Sequence, residues 1–441
     1  MGTAQPVPPP SPLKEEDLVA TLDGSEVNQV STESKPAPAP APRRWRRARA
    51  LIDLVVSQWL LLAMGLVIGL AYCFPSVGKR GGYVASQWTV TYGAVILIFF
   101  VSGLSLPFDK LLKHARNLRL HLIVQTMSFL VTSATFFGIA CAARTSSHID
   151  ISTLVGLIAT GALPTTISSN VVMTKQAGGD EAATMVEVTL GNFLGPFISP
   201  LLIAKLYLPA VSEFRAWLPA EATDNLPQLY RNVMLQMGTS VFAPLVLGQV
   251  IRAIWPKQVQ WAIVKLKLGK LGSLCLLSLI WSTFCTAFAS KSLESINTQT
   301  IVFNVFVNLA LCITFTTLSF YLARPPDTLH RLSPTIFRRA DKPETISICF
   351  CAPAKTQALG IPLIAAMYST ATDETRALIQ VPMILYTAEQ ILVGQVMVAL
   401  FKRWVNQDVR GSVELGHGAG AESEPDTPAV DESKDRSGSS G

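Results

Sequence analysis

Ten long apolar stretches occupy the middle of this sequence, and they restrict the fold more than any other feature. Each is about 18 residues or longer, the length that a helix needs to cross about 30 Å of hydrocarbon. Charged residues make up 15% of the chain, whereas soluble globular proteins carry about 25%. We therefore predict an all-α polytopic membrane protein rather than one or two soluble domains. The predicted helices lie near residues 52–73, 86–107, 119–142, 152–175, 181–207, 229–254, 271–289, 300–323, 344–369 and 377–404.

The two ends of the chain differ in composition from this apolar middle. Residues 1–48 are polar and rich in proline and alanine, and residues 406–441 are rich in glycine, serine and acidic residues. Such segments bury too little apolar surface to offset their ordering entropy, so we predict two disordered cytosolic tails. Between them we predict a first five-helix repeat at 49–208, an extracellular or lumenal linker at 209–228 and a second five-helix repeat at 229–405.

Lysine and arginine alternate between the predicted connections. The basic clusters lie at 43–49, 110–119, 252–270, 324–342 and 402–410. Because basic connections stay in the cytosol, this pattern predicts that both termini are cytosolic. The basic residues that orient the helices in the membrane also account for the formal net charge of +6. No nucleic-acid partner is therefore expected. Helix lengths mostly above about 20 residues favour the thicker plasma membrane, with the ER or Golgi membrane as the alternative.

Two of the predicted helices contain sequence that a continuous helix avoids. Residues 161–170 of the fourth include Pro164, and residues 351–362 of the ninth include Pro353 and Pro362. Proline removes a backbone donor and disfavours helix at the preceding residue. As fourth and ninth of ten, these helices are corresponding members of two inverted five-helix repeats. In inverted-repeat carriers, such helices meet in mid-membrane and form the substrate or ion site. The alternative is that both are merely kinked for packing.

Three charged residues are predicted to lie at membrane depth: Glu187, Lys355 and Glu389. A charge at this depth costs about 2.5–3.5 kcal/mol on insertion scales, so each residue needs a partner or a role. Because either glutamate can neutralise the lysine, we predict an ion pair between Lys355 and a carboxylate, within a substrate or ion site. The alternative is a purely structural pair that adds no function.

Neutral oxygens close to the predicted breaks suit a hard cation such as sodium. The candidate ligands are Gln125, Ser169, Asn170 and Thr184, together with carbonyl groups near Pro353. For any single one of these side chains, hydrogen bonding within the membrane helices is an equally good explanation. Only the cluster as a whole indicates an ion site.

Enzymatic chemistry is not favoured by this sequence. Most of its seven cysteines lie inside apolar stretches, where we expect free thiols that pack as small hydrophobic groups. Cys349 and Cys351 are spaced too closely for the usual metal-binding pair. The sequence contains no evident combination of a nucleophile and a base, or of metal ligands. We therefore predict neither an enzyme nor a cofactor beyond a coupling ion.

Several short motifs resemble those of the bile-acid:sodium symporter superfamily (solute carrier family 10 and its bacterial homologues). They are the stretches 169–174, 193–202 and 345–348, and the likeness runs from about Arg49 to Trp404. Residues 102–106, and Lys355 followed by residues 358–362, are similar to the seventh-member branch, whose fungal relatives are linked to calcium homeostasis.

This resemblance implies a panel domain of helices 1, 2, 6 and 7 and a core domain of helices 3–5 and 8–10, with crossing helices 4 and 9. The family's sodium ligands fall on Gln125, Ser169, Asn170 and Thr184. The family has a sodium-binding glutamate followed by a glutamine in the ninth helix. In one alignment these two residues correspond to Cys349 and Pro353, and in an alignment that matches Leu359 and Gly360 they correspond to Cys351 and Lys355. A further hydroxyl ligand becomes Val188. The resemblance therefore implies a damaged two-sodium site.

Two functions follow from these observations. The first is an ion-coupled carrier of a small organic solute. In this carrier, either Glu187 supplies a substitute charge for one sodium ion or proton, or the cavity favours an anionic substrate beside Lys355. The second is a non-transporting regulator of calcium influx that contacts another membrane protein, for which a calcium channel or pump is the expected partner. A homo-oligomer is compatible with either function.

Overall fold

The computed structural model describes residues 59–105, 116–166, 168–219, 226–291, 296–333 and 338–419. Within these ranges the regular structure is entirely helical, and no strand is found. The predicted N-terminal tail and most of the predicted C-terminal tail lie outside the described residues.

Seven helices are long and apolar enough to cross a membrane, and the shortest of them has 20 residues. We label them together with the shorter apolar helices in chain order. The seven are α2 (Ser86–Ser105), α3 (Leu118–Ala143), α6 (Glu181–Ala210), α7 (Pro227–Ile254), α8 (Leu268–Ala289), α9 (Thr298–Ala323) and α12, whose span is Asp373–Gln407. All seven coincide with helices predicted from the sequence, because apolar length alone identifies such segments.

The remaining predicted helices are shorter or interrupted. The first is described from Trp59 as α1 (Trp59–Cys73). The fourth consists of two half-helices, α4 (Ile151–Ala162) and α5 (Ser168–Ala177). The ninth likewise consists of α10 (Lys342–Cys351) and α11 (Gln357–Met367). The predicted interruptions are thus confirmed as breaks in the backbone helix.

Both breaks are shorter than the sequence indicated. We define the first break as residues 163–166 and the second break as residues 352–356. Leu163 is extended, with φ −73° and ψ 153°, because the ring of Pro164 excludes the helical conformation at the residue before it. Pro362, which we predicted within the second break, instead lies inside α11.

The helices pack in two sets of neighbours. In the first set, α2 packs against α7 and α8, and α1 packs against α8. In the second set, α4 packs against α3 and α12, while α9 packs against α10 and α12. Half-helices α4 and α10 therefore pack within the second set, whereas α11 packs against both α12 and α7 and so contacts both sets.

Close contact between α2 and α7 depends on two glycines. A Cβ atom on Gly103 would lie 2.3 Å from the carbonyl oxygen of Leu245, and one on Gly248 would lie 2.6 Å from that of Phe100. No other residue fits at these distances, so this pair of glycines sets the separation of the two helices.

Two other predictions concern the thiols and the C-terminal end. All seven cysteines are free, and five of them are buried, as expected for small apolar groups. The last helix, α12, continues to Ala419, past residue 406 where we predicted the tail to begin. No proline interrupts residues 405–419, so the helix has no local reason to end at the edge of the apolar stretch.

Candidate functional site

The first and second breaks meet, and two hydrogen bonds join them at a point that we call the crossing. The amide of Thr356 donates to the carbonyl oxygen of Pro164 at 2.9 Å. The hydroxyl of Thr166 donates to the carbonyl oxygen of Lys355 at 2.8 Å. Because these groups lie outside helices, each needs a partner at membrane depth, and each break supplies partners to the other.

A glutamine of α12 holds the crossing from the side. The side-chain oxygen of Gln390 accepts from the amide of Lys355 at 2.9 Å. Its nitrogen donates to the carbonyl oxygen of Lys355 at 2.9 Å and to the hydroxyl of Thr166 at 3.1 Å. One turn away, the hydroxyl of Tyr386 donates to the carbonyl oxygen of Pro353 at 2.7 Å. These two residues therefore satisfy much of the unwound backbone.

Helix α6 contacts the first break and the end of α4 through hydrogen bonds and close packing. The amide of Asn192 donates to the carbonyl oxygen of Thr165 at 2.9 Å, and the hydroxyl of Ser199 donates to that of Ala162 at 2.7 Å. Between them, a Cβ atom on Gly195 would lie 2.8 Å from the ring of Pro164. A spacing of three or four residues places all three on one helix face. Two residues of the stretch 193–202, Gly195 and Ser199, therefore contact the first break or the residue before it.

Lys355 does not form the ion pair that we predicted. Its ammonium nitrogen contacts the carbonyl oxygen of Ser128 at 2.5 Å, the Ser128 hydroxyl at 3.3 Å and the carbonyl oxygen of Leu163 at 2.8 Å. Among the described residues, none of the ion pairs includes Lys355. The prediction failed because Glu187 and Glu389 face other partners, and main-chain carbonyls take their place.

Glu187 lies in a polar cluster between α3 and α6. Its side chain is fully buried and contacts the Nδ1 atom of His121. The amide nitrogen of Gln125 donates to the other carboxyl oxygen of Glu187 at 2.9 Å and to its backbone carbonyl at 3.1 Å. His121 and Gln125 are four residues apart, so both point from the same face of α3. The structure therefore joins two predicted site residues, Gln125 and Glu187.

Thr165 in the first break links two further polar side chains. Its hydroxyl accepts from the amide of Asn170 at 2.9 Å, and its carbonyl accepts from Asn192. The side-chain oxygen of Gln125 is also near, because a Cβ atom on Gly191 would lie 3.3 Å both from that oxygen and from the methyl group of Thr165. Gln125 and Asn170 thus approach the same residue.

Three neutral oxygens in this region are buried and have no hydrogen-bond partner among the residues that the structure describes: Gln125 Oε1, Ser169 Oγ and Asn192 Oδ1. Unpaired oxygens of this type are ligands suited to a hard cation. Thr184 is less available, since its hydroxyl contacts the hydroxyl of Thr174 at 3.2 Å and the carbonyl of Asp180 at 3.0 Å.

The two alternative positions for the family's glutamate have different surroundings. Cys349 packs with apolar residues that include Met173, Ile346 and Phe350. Cys351 lies near the Glu187 carboxyl and the Thr184 hydroxyl. Of the two alignments left open by the sequence, only the one on Cys351 and Lys355 places the substituted residue next to the polar cluster.

Glu389 is separate from this cluster. The residue is 8% exposed, and one carboxyl oxygen is buried with no hydrogen-bond partner in the described part of the chain. The side chain of Asn308 in α9 lies beside it. Glu389 is therefore not brought together with Lys355, Glu187 or the candidate sodium ligands.

A cavity of about 190 Å³ lies beside the crossing. Its lining comes both from α2 and α8 and from the half-helices and their neighbours. Most lining residues are apolar, and the polar exceptions are Ser102, Ser105, Thr166, Thr189, Thr356, Gln357 and Thr387. Gln357 is 1% exposed, and among the described residues neither atom of its amide group has a hydrogen-bond partner. A buried amide in a cavity wall needs a partner, which a bound molecule can supply.

Sequence reasoning missed several of these residues. His121 was overlooked as a single histidine near a helix end, although its four-residue spacing from Gln125 was a usable signal. Ser128, Tyr386 and Gln357 carried no comparable signal. Tyr386 bonds to a backbone carbonyl that the second break exposes, Ser128 accepts from Lys355 of a distant segment, and Gln357 is distinguished only by its place in the cavity wall.

A profile of the SBF-like CPA transporter family matches residues 58–403 of this chain. The chain is 37% identical over 396 residues to the solute carrier RCH1 of Candida albicans, covering 85% of this chain and 95% of that protein. It is 36% identical over 384 residues to the solute carrier RCH1 of Saccharomyces cerevisiae, covering 82% and 88%. It is 31% identical over 363 residues to sodium/bile acid cotransporter 7 of Rattus norvegicus, covering 82% and 97%. The resemblance to the seventh-member branch of the bile-acid:sodium symporters is confirmed, and the chain belongs to the SBF-like CPA transporter family.

Proposed function

We propose that this protein is a secondary active transporter of the bile-acid:sodium symporter type that carries a small organic solute. The observation that carries this proposal is the backbone contact between the two breaks, next to a cavity with an unpaired amide in its wall. Interrupted helices that meet beside a cavity are the usual way in which inverted-repeat carriers build a substrate site. No enzymatic role is proposed.

The proposed architecture has ten membrane-crossing segments in two inverted repeats, at 49–208 and 229–405, joined by the linker at 209–228. Helices α1, α2, α7 and α8 form the panel, and the others form the core; the two sets of packing neighbours support this division. The basic connections favour cytosolic termini in a plasma-membrane protein, with the ER or Golgi membrane as the alternative.

The proposed coupling cation binds beside Glu187. This carboxyl lies near Cys351, where the family's glutamate is absent, and so can supply the missing negative charge from α6 instead of α10. The oxygens of Gln125, Ser169 and Asn170 suit sodium, with Thr184 nearby, while His121 makes a proton the alternative. One carboxyl group supports one cation better than two.

The cavity indicates the type of solute. Its apolar walls favour a hydrophobic body, whereas Gln357 and the hydroxyl groups favour one polar group that both donates and accepts hydrogen bonds. An amphipathic carboxylate or amide meets both conditions, and the name of the rat relative, a sodium/bile acid cotransporter, is consistent with that class.

We further propose a role in cellular calcium homeostasis, as the fungal members of the seventh-member branch suggest. The alternative is a regulator of calcium influx that does not transport and acts on a calcium channel or pump. The substitutions at Val188, Cys351 and Lys355, where the family has ion ligands, favour this alternative. A homo-oligomer is compatible with both.

Uptake by liposomes that contain the purified protein tests the carrier function. The probe is labelled taurocholate, followed by shorter labelled monocarboxylates, under inward sodium or proton gradients. We expect gradient-dependent uptake that Asn170→Ala and Glu187→Gln abolish. Lys175→Ala is the control, because this lysine is exposed and pairs only with Glu181.

Calcium accumulation in cells separates carrier from regulator. Cells that lack the gene are supplied with the wild type or with Asn170→Ala, Glu187→Gln or Lys175→Ala. If the site variants behave like the deletion, the calcium effect depends on the site. If they behave like the wild type at equal protein abundance, the regulator function is supported instead.

A further inference from the structure

The amine of Lys355 sits in a cage of neutral oxygens. An ammonium group has three N–H donors, and three oxygens surround this one: the carbonyl of Ser128, the hydroxyl of Ser128 and the carbonyl of Leu163. The residue is 1% exposed, so the amine has no contact with bulk water. The number of N–H donors on the amine therefore equals the number of oxygen acceptors that surround it.

Lys355 uses backbone carbonyls rather than a carboxylate. Charged residues in membrane helices pair with one another or with backbone carbonyls, and among the described residues no carboxylate lies within ion-pairing distance of Lys355. Carbonyl and hydroxyl oxygens from unwound backbone are instead the ligands with which carriers coordinate sodium.

Helix geometry adds negative potential at the same point. Leu163 is the C-terminal cap of α4, so the partial negative charge of that helix end faces the amine. Ser128 lies in a π-helical segment, Met127–Val131, and its carbonyl also accepts from the Thr132 hydroxyl. Single-turn π segments are frequent at functional sites because they change which groups face inward.

We propose that the Lys355 ammonium is a tethered cation, which permanently occupies a position that would otherwise bind a free alkali ion. It bridges α3, the end of α4 and the second break, and so holds the crossing together with no dissociable ion at this point. The consequences of this tethered cation for transport rest on the carrier function proposed above. The occupation of the cage by the Lys355 ammonium does not depend on whether the protein transports a solute.

One consequence concerns coupling. An ion that cannot leave its site cannot be released on the other side of the membrane, so this position stores no gradient energy. Only the position beside Glu187 remains for a coupling cation. The carrier would therefore move one coupling cation per cycle, and replacing Lys355 by a small residue would create a second, sodium-binding position.

Thermal unfolding of the purified full-length protein tests the tethered cation. The variants are Lys355→Ala, which empties the cage, and Lys355→Met, which fills it without charge. Each is measured in sodium chloride, choline chloride and ethylammonium chloride at equal ionic strength, both as Tm and as the yield of monodisperse protein. The same series in a Glu187→Gln background removes any contribution from the neighbouring site.

We expect Lys355→Ala to lose stability in choline and to regain several degrees of Tm, in a saturable way, in sodium or ethylammonium. The wild type should show no such gain in the Glu187→Gln background, and Lys355→Met should lose stability in all three salts. The proposal is overturned if Lys355→Ala shows no salt-specific recovery, or if Lys355→Met is as stable as the wild type. A Lys355→Ala protein that folds in none of the salts also counts against it, because a tethered cation should be replaceable. Since no solute is involved, these results are independent of the uptake experiment.

Discussion

The backbone amide of Thr356 donates a hydrogen bond to the carbonyl oxygen of Pro164, with an N···O distance of 2.9 Å. The two residues are far apart in sequence and lie in different breaks. This bond gives each break a partner that its own helix cannot provide, and it brings the end of α4 next to the start of α11. The stability of the crossing therefore depends on polar contacts between breaks rather than on helix formation.

The first prediction concerns the glutamine that holds the crossing. Gln390→Ala leaves the Lys355 amide without its partner and removes one of two partners from the Lys355 carbonyl and the Thr166 hydroxyl, which still bond to each other. Because an unpaired buried group costs about 1–3 kcal/mol, we expect the free energy of unfolding to fall by about 1–3 kcal/mol. Thermal unfolding measures this, with Gln395→Ala on the same helix as the control. Equal effects of the two substitutions would contradict the assigned role.

The second prediction concerns the His121–Glu187 contact. If the two side chains act as a unit, His121→Ala, Glu187→Gln and the double variant should give non-additive unfolding free energies, with a coupling of about 0.5–3 kcal/mol. Unfolding of the three variants and the wild type supplies the cycle. Strict additivity would show that the contact in the structure contributes no coupling.

The third prediction uses the narrow space between α6 and the first break. Gly195→Ala places a Cβ atom 2.8 Å from the ring of Pro164, and overpacking of this kind costs about 1–3 kcal/mol. We expect lower thermal stability and loss of solute uptake. Gly138→Ala is the matched control, since nothing lies within 4 Å of its new Cβ atom. Uptake unchanged in Gly195→Ala would show that the first break tolerates displacement.

The fourth prediction separates binding from stability at Gln357. Its amide is buried in the cavity wall and unpaired, so Gln357→Leu should raise the unfolding free energy of the solute-free protein by about 1–3 kcal/mol. The same substitution should remove the solute-induced rise in Tm measured with taurocholate. A less stable Gln357→Leu protein would indicate that the amide already has a partner, such as ordered water.

Much of the fold was predictable because membrane helices obey a local rule. The helices from α2 to α12 coincide with apolar stretches, since length and hydropathy suffice where no water is present to satisfy the backbone. Pro164 and Pro353 also indicated where the backbone opens, because proline acts on its immediate neighbours. The family motifs added the crossing of the interrupted helices.

The site was only partly predictable, because its contacts join segments that are distant in the sequence. Lys355, Glu187, Gln125 and Asn170 were recognised as residues at membrane depth, but their partners were not. Lys355 was expected to pair with a carboxylate, whereas the carbonyl groups of Ser128 and Leu163 that accept from it cannot be recognised in a sequence. Backbone acceptors belong to every residue, so residue type does not reveal which of them the fold leaves open.

By itself, the sequence determined that this chain crosses a membrane many times, where two of its helices break and which charged groups lie at depth. Those properties follow from the cost of placing polar groups in hydrocarbon, which acts residue by residue. Only the tertiary structure decided that Glu187 contacts His121 and Gln125, that Lys355 lies among carbonyl oxygens and that Gln357 faces the cavity unpaired. A hydrogen bond between distant segments forms or fails with changes of a few tenths of an ångström in the distance between donor and acceptor. The packing of whole helices sets that distance.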